Sequence, residues 1–331
     1  MTTSRPRYIW GPVNAEDLAP VPGTGWVITS GMTGPSAPIG RLYAIDRRDG
    51  SSSEICPYRL ALALDETRFG AQAPLDPLAF QPHGIDVTLR ADGTPELLVV
   101  NHGGRESVEY FEIDLAGARP TLRWIGGVEL PGTTVGNDVA ALPGGGFVVS
   151  TTGDAEGRFA MTLEMGFSGV DTGGVMEWTP AGGWREVPGS QINTANGVAA
   201  SADGEWVFVA GFGTREIRKL RRLGGDPQAV TVVTEILVDN LTWARDGALL
   251  AAGPHSTTMA ELVAHHFSDN PKLAMPSRIV RLDPATMTVE TVVEVAAEDF
   301  GSACTGLHVG DEIWVGAARD HGVACYPYVR A

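Results

Sequence analysis

The chain is short of positive charge: 24 Lys and Arg stand against 40 Asp and Glu in 331 residues, a formal net charge of −16. Nucleic acid and anionic membrane surfaces both demand a clustered positive field, so neither is an expected partner. Cysteine is scarce. Cys56, Cys304 and Cys325 are an odd count with no CxxC pair; neither a disulfide framework nor a thiolate zinc site is indicated, and buried reduced thiols are expected. Long apolar runs are missing. No stretch approaches the span that crosses a bilayer, and the opening residues, MTTSRPRYIWGPVNAEDL, hold no apolar segment of signal-peptide length. A cytoplasmic location is expected. Neither GxSxG nor HExxH occurs, and no Walker-type GxxxxGK[ST] precedes a helix, which leaves the serine-elbow, zincin and P-loop chemistries unsupported.

Glycine and proline, by contrast, are plentiful. The 42 glycines and 22 prolines make up roughly 19% of the chain against an average near 12%. Few charges and many turn residues favour short strands joined by tight turns, with 43% hydrophobic residues to fill a large core. Six segments share one pattern, a short run, a Gly-containing turn and an apolar strand ending in small or polar residues: EDLAPVPGTGWVITSG, GIDVTLRADGTPELLVVNHGG, NDVAALPGGGFVVSTTG, NGVAASADGEWVFVAGFG, NLTWARDGALLAAGPH and TGLHVGDEIWVGAARDHG. With Pro22, Asp92, Gly144, Asp203, Asp246 and Gly310 as turn markers, the intervals are 70, 52, 59, 43 and 64 residues. These are blade-sized steps, and they predict an all-β fold: one six-bladed β-propeller spanning residues 1–331, with four-stranded blades and a central channel. Runs such as RLYAID, SVEYFEID and SRIVRLDP supply outer strands. Two segments without clean strand character, roughly Ser51 to Phe80 and His255 to Pro276, read as lid-like insertions, the second holding the helix-like MAELVAHHF.

In a propeller the first strand of each blade lines the channel, so the residues that begin these strands meet in space. Six or seven positions before the turn markers stand Glu16 and Asp17, Ile85 just after His83, Asn137 and Asp138, Asn196, Asp239 and Asn240, and Thr305. A single Asn or Asp before a strand is more often a turn or cap residue. Four blades in phase are a different matter. Glu16, Asn137, Asn196, Asp239 and Asn240 offer two carboxylates and three amides, the hard oxygen donors a Ca²⁺ ion takes. The charge of a divalent ion is balanced without excess, which leaves a Lewis acid able to accept a substrate oxygen; no Cys joins the set, which lowers the case for zinc. Asp86, Asp114 and Asp283 are out of phase and read as ordinary turn or surface carboxylates. His83 and His102 flank one hairpin, where a neutral imidazole can act as a general base with the second ring as its partner. No role is assigned to His255, His265, His266, His308 or His321.

These residues carry a resemblance. Through AEDL, QPHGID, LLVVNH, GNDVAA, TANGVAASADG and LVDNLT the chain resembles, from about Val13 to Tyr328, the paraoxonase/arylesterase lactonases within the wider gluconolactonase-like group of six-bladed propellers. The resemblance implies two calcium ions. A catalytic ion would be held by Glu16, Asn137, Asn196, Asp239 and Asn240, and a structural ion by Asp17, Asp138 and the backbone carbonyl of Ile85. His83 would activate water, with His102 as its partner. Relatives of the secreted animal type have a hydrophobic leader and a disulfide from the N-terminal segment to the last blade. Here Cys325 has no partner in residues 1–15, so closure of the ring is expected to rest on strand pairing.

The expected activity is calcium-dependent hydrolysis of lactones, with aryl esters as a second substrate class. Two alternatives stay open: a metal-dependent lyase or isomerase on the same scaffold, and a non-catalytic binding propeller whose calcium is structural.

Overall fold

The computed structural model describes residues 5–34, 37–58, 60–154, 169–223, 229–255, 258–266, 268, 272 and 275–329. Their strands assemble into six sheets. The inner strands are Ala15–Pro20, Pro82–Leu89, Thr134–Ala141, Ala195–Ala200, Leu241–Trp243 and Ala303–Val309, and each touches the next in a closed cycle, the sixth against the first. The turn signals thus delimit the blades correctly: this is a six-bladed propeller. Among the described residues no helix is long and apolar enough to cross a membrane.

Closure comes from strand pairing. Arg7–Val13 is the outer strand of blade 6 and pairs antiparallel with His321–Pro327, Arg7 opposite Cys325 and Ile9 opposite Val323. Cys56, Cys304 and Cys325 are all free and buried. One blade departs from four strands: Ala61–Leu62 adds a short fifth strand to blade 2, parallel to Arg123 and Trp124. The segment Ser51 to Phe80 is therefore only partly an insertion. Ser52–Cys56 is the outer strand of blade 1, and the rest braces the edge of blade 2 through the helical turn Glu66–Phe69, whose Phe69 ring lies 5.0 Å from that of Tyr110.

The core lies between the blades. Among the described residues the six largest apolar clusters lie one at each blade interface, because the second strand of a blade is covered on both faces. In Leu97-Leu98-Val99-Val100 the odd residues pack toward blade 1 and the even ones toward blade 3, as the period of two along a strand requires. A continuous apolar run is the sequence signature of that double burial.

The inner strands share a device. In blade 1 Ala15 faces Gly31 and Leu18 faces Thr29, so Glu16 and Asp17 together oppose one residue. The same β-bulge sets His83 and Gly84 in blade 2, Asn137 and Asp138 in blade 3, and Asn196 and Gly197 in blade 4, and a one-residue slip occurs at Cys304 in blade 6. A bulge re-aims side chains and bends the strand toward its neighbours. Where the ring is tightest the second bulge residue is glycine: a Cβ on Gly84 would stand 2.5 Å from Asp138 Cα, and one on Gly197 would stand 2.4 Å from the Asp239 carbonyl oxygen.

Candidate active site

One pocket of about 570 Å³ opens at the channel mouth, and its floor is the ring formed by the bulge residues Glu16, His83, Asn137, Asn196 and Cys304 together with Asp239, which precedes the inner strand of blade 5. The expected donors are brought together. Counting back from the turns misplaces two members, however, because inner strands differ in length. His83, not Ile85, is the equivalent of Glu16 and Asn137 in blade 2, and Cys304, not Thr305, holds that place in blade 6. A cysteine does stand beside the oxygen donors, contrary to expectation. Its thiol donates to the Glu16 carbonyl at 3.0 Å, and burial, followed by the Glu16 and Asp239 charges, pushes its pKa well up. It is a neutral thiol, not a thiolate.

The oxygens above this floor are unsatisfied. Glu16 Oε2, Asn137 Oδ1, Asn196 Oδ1 and Asn240 Oδ1 are buried without a hydrogen-bond partner. The Asn240 amide is held in place by its Nδ2, which donates to Glu16 Oε1 at 2.7 Å and to the Glu16 carbonyl at 3.2 Å. Asn196 hydrogen-bonds the Asp239 carboxylate. A buried polar atom without a partner costs about 1–3 kcal/mol, so four in one place call for a cation. Burial is the main reason that the Glu16 carboxyl is raised well above its usual range, reinforced by the Asp17 and Asp239 charges; burial likewise lifts Asp239 to about 7. Among the described residues no Lys or Arg forms an ion pair with Glu16, Asp17, Asp138 or Asp239. Nor do three His, Cys, Asp or Glu side chains alone compose a metal site among those residues; three of the five donors here are amides.

Below the floor, carboxylates tie one blade to the next. Asp17 Oδ2 accepts from Ile85 N at 2.9 Å, and Asp138 Oδ2 accepts from Val198 N at 2.8 Å. Asp17 Oδ1 also accepts from Leu18 N and from the Thr305 hydroxyl. Asp86, expected to be an ordinary turn or surface carboxylate, does the same between blades 2 and 3: it accepts from Ala141 N at 2.8 Å and from Val87 N. Burial lifts Asp17 and Asp86 to about 6 and Asp138 well above its usual range. Asp114 and Asp283 are turn residues as expected, each accepting from main-chain N–H groups just downstream.

The two histidines meet over the floor. His83 Nδ1 lies 3.0 Å from His102 Nε2, and His83 Nε2 lies 3.6 Å from Glu16 Oε1. Burial, with the neighbouring His102, pushes His83 down to about 3, so it is neutral at ordinary pH. A third group was invisible in the sequence reading: Glu106 lies 2.9 Å from His102 Nδ1.

This architecture has counterparts. The model of the arylesterase family matches residues 13–313. The chain belongs to the arylesterase family. The chicken (Gallus gallus) serum paraoxonase/arylesterase 2 is 26% identical over 244 residues, which are 70% of this chain and 63% of that protein's own length. Among solved structures, a gluconolactonase from Xanthomonas campestris superposes with a TM-score of 0.58 at 14% identity, covering 98% of this chain and 94% of its own. The calcium-binding protein regucalcin from Agrobacterium tumefaciens gives 0.54 at 12% identity over 99% and 98%. Identities this low speak for the shared fold alone.

Around the floor, this arylesterase-family chain has a largely apolar wall. Met32, Pro82, Val135, Phe212, Pro254 and Leu262 line it. Leu262 comes from the helix Met259–His266 and packs on Phe212 and Leu237. The second insertion thus walls the pocket as expected. Thr194, also in the wall, holds φ +50°, as Asn14 holds +53° at the matching place before Glu16. For a β-branched residue this is an uncommon and strained backbone.

Proposed function

We propose that the chain is a calcium-dependent hydrolase of lactones and aryl esters. One observation carries the reading: four unpartnered buried oxygens, with no Lys or Arg ion-paired to the carboxylates beside them among the described residues, lie beneath a histidine pair in a largely apolar pocket. The family, a relative that is a paraoxonase/arylesterase, and structural neighbours that are a gluconolactonase and a calcium-binding protein support the same choice. Glu16, Asn137, Asn196, Asp239 and Asn240 would hold the catalytic ion, whose chemistry when bound is Lewis-acid polarisation of a carbonyl oxygen. A structural ion at Asp17, Asp138 and the Ile85 carbonyl is part of the proposal; it would neutralise two buried carboxylates that already bind main-chain N–H groups.

The protein's own groups do the rest. The apolar wall takes the organic part of the substrate and excludes water from all but the floor. His83 Nε2 accepts a proton from water as the new O–C bond forms, and His102 Nε2 holds the ring at His83 Nδ1. The bond to the ring or aryl oxygen breaks, and that oxygen receives the proton from His83.

A pH-stat screen of γ- and δ-lactones and aryl esters, with calcium and then with chelator, tests the reading. Asn137→Ala and Asp239→Ala should lose both the ion and turnover; full activity in these variants or in chelator defeats the proposal. Rearranged or eliminated products would favour a lyase or isomerase, and melting on chelation with no substrate turned over a binding propeller.

A further inference from the structure

We propose that Glu106 is a positioning residue that fixes the protonation pattern of the histidine pair, making the relay one of three groups. Its consequence for turnover rests on the hydrolytic reading above; the hydrogen-bond chain does not. An ionised carboxylate can only accept, so with Glu106 Oε2 at 2.9 Å and Oε1 at 3.2 Å, His102 carries its proton on Nδ1. The His102 Nε2 lone pair then faces His83 Nδ1 at 3.0 Å, and His83 must donate to it. This leaves His83 Nε2 unprotonated, on the side of Glu16 and the pocket floor. In the reversed pattern His102 would donate from Nε2, the His83 proton would move to its own Nε2, and the base would be blocked. The carboxylate behind His102 decides between them, because it lies at hydrogen-bond distance, 2.9 Å, whereas Glu16 Oε1, which would favour the reversed pattern, stands 3.6 Å from His83 Nε2.

The loop is built to keep this geometry. Asn101, fully buried, donates to the carbonyls of Gly103 and Arg105 at 3.0 and 3.1 Å and accepts from Gln81 N at 3.0 Å. The Glu106 carbonyl is anchored by Leu130 N at 2.9 Å. The adjacent cation does not compete, because Arg105 is committed to Glu109 through Nε at 2.7 Å and Nη2 at 3.0 Å.

The experiment compares wild type with Glu106→Ala, which cannot accept, and Glu106→Asp, which can. Two-bond ¹H–¹⁵N correlation spectra of ¹⁵N-histidine-labelled protein, assigned with His102→Asn, should show His102 protonated on Nδ1 in wild type. In Glu106→Ala the Nε2-protonated form should appear, and Glu106→Asp should restore the wild-type pattern in part. In parallel kcat should fall about 10- to 100-fold in Glu106→Ala, with KM and calcium affinity within about twofold. An unchanged His102 pattern in Glu106→Ala, an Nε2-protonated His102 in wild type, or an unchanged kcat overturns the inference. Should wild type hydrolyse no lactone or ester, the hydrolytic reading fails, and the spectra alone decide the role of Glu106.

Discussion

Removing calcium should turn the pH dependence of folding stability into a steep slope. Asp239 has its carboxyl lifted to about 7, and Asp17 and Asp86 to about 6, all first by burial. In the unfolded chain the same groups titrate near 3.9. A raised folded-state value means that the folded chain holds protons the unfolded chain does not, so stability is gained as pH falls and lost as it rises through the folded values. Each such proton is worth about 1.4 kcal/mol per pH unit. Asp239 begins to contribute below about pH 7, and Asp17 and Asp86 join below about pH 6. From about pH 8 to about pH 5 these three carboxyls give the chelated protein roughly 5 kcal/mol, while His83, held neutral in the fold but protonated near 6.5 when unfolded, takes back about 2, a net gain of roughly 3 kcal/mol. Carboxylates shifted the other way, such as Asp46 beside Arg48, lose their contribution only below the usual carboxylate range. With calcium bound, the charges are balanced and the profile should be nearly flat. Urea denaturation at several pH values, with excess calcium and with chelator, reads both curves. A chelated protein whose midpoint stays level or drops over this interval, or whose curve matches the calcium form, would refute the reasoning.

Two further outcomes follow from close packing. Gly84→Ala sets a Cβ 2.5 Å from Asp138 Cα and 2.8 Å from the Asn137 carbonyl oxygen. Only a backbone shift between blades 2 and 3 relieves that, so the variant should lose about 1–3 kcal/mol by urea denaturation and bind calcium more weakly by calorimetry. Leu262→Ala removes part of the wall without touching the floor. It should raise KM for long-chain lactones several-fold while leaving kcat for small ones unchanged, as steady-state rates on a chain-length series will show.

How much of this was legible follows from what is local. Turn residues such as Gly144 and Asp203 announce themselves over a few positions, which is why six blades and the donors Glu16, Asn137, Asn196, Asp239 and Asn240 could be picked out from spacing. Register is not local. A constant distance to the turn points to Ile85 and Thr305 as channel residues, whereas the bulge that selects His83 and Cys304 exists only once two strands are paired. Asp86 was missed for the same reason: its partner, Ala141 N, is 55 residues away on the next blade. Glu106 had no signal beyond standing four residues after a histidine in a loop, and its meaning depends on which way that loop folds back. Ser52–Cys56, with serines where a strand would show β-branched residues, is a strand by virtue of the neighbour it pairs with.

Because the floor of the pocket is built from one backbone position repeated around a ring, its chemistry is spelled like a six-letter word: Glu, His, Asn, Asn, Asp, Cys in blade order. Each letter sits on or just before the inner strand of its own blade, and changing one rewrites the site without asking the main chain to move. A single codon is enough to exchange a donor for a base, or the neutral thiol of the sixth letter for another ligand. Such a scaffold can diversify by spelling alone, and the place to read what any relative does is this one ring.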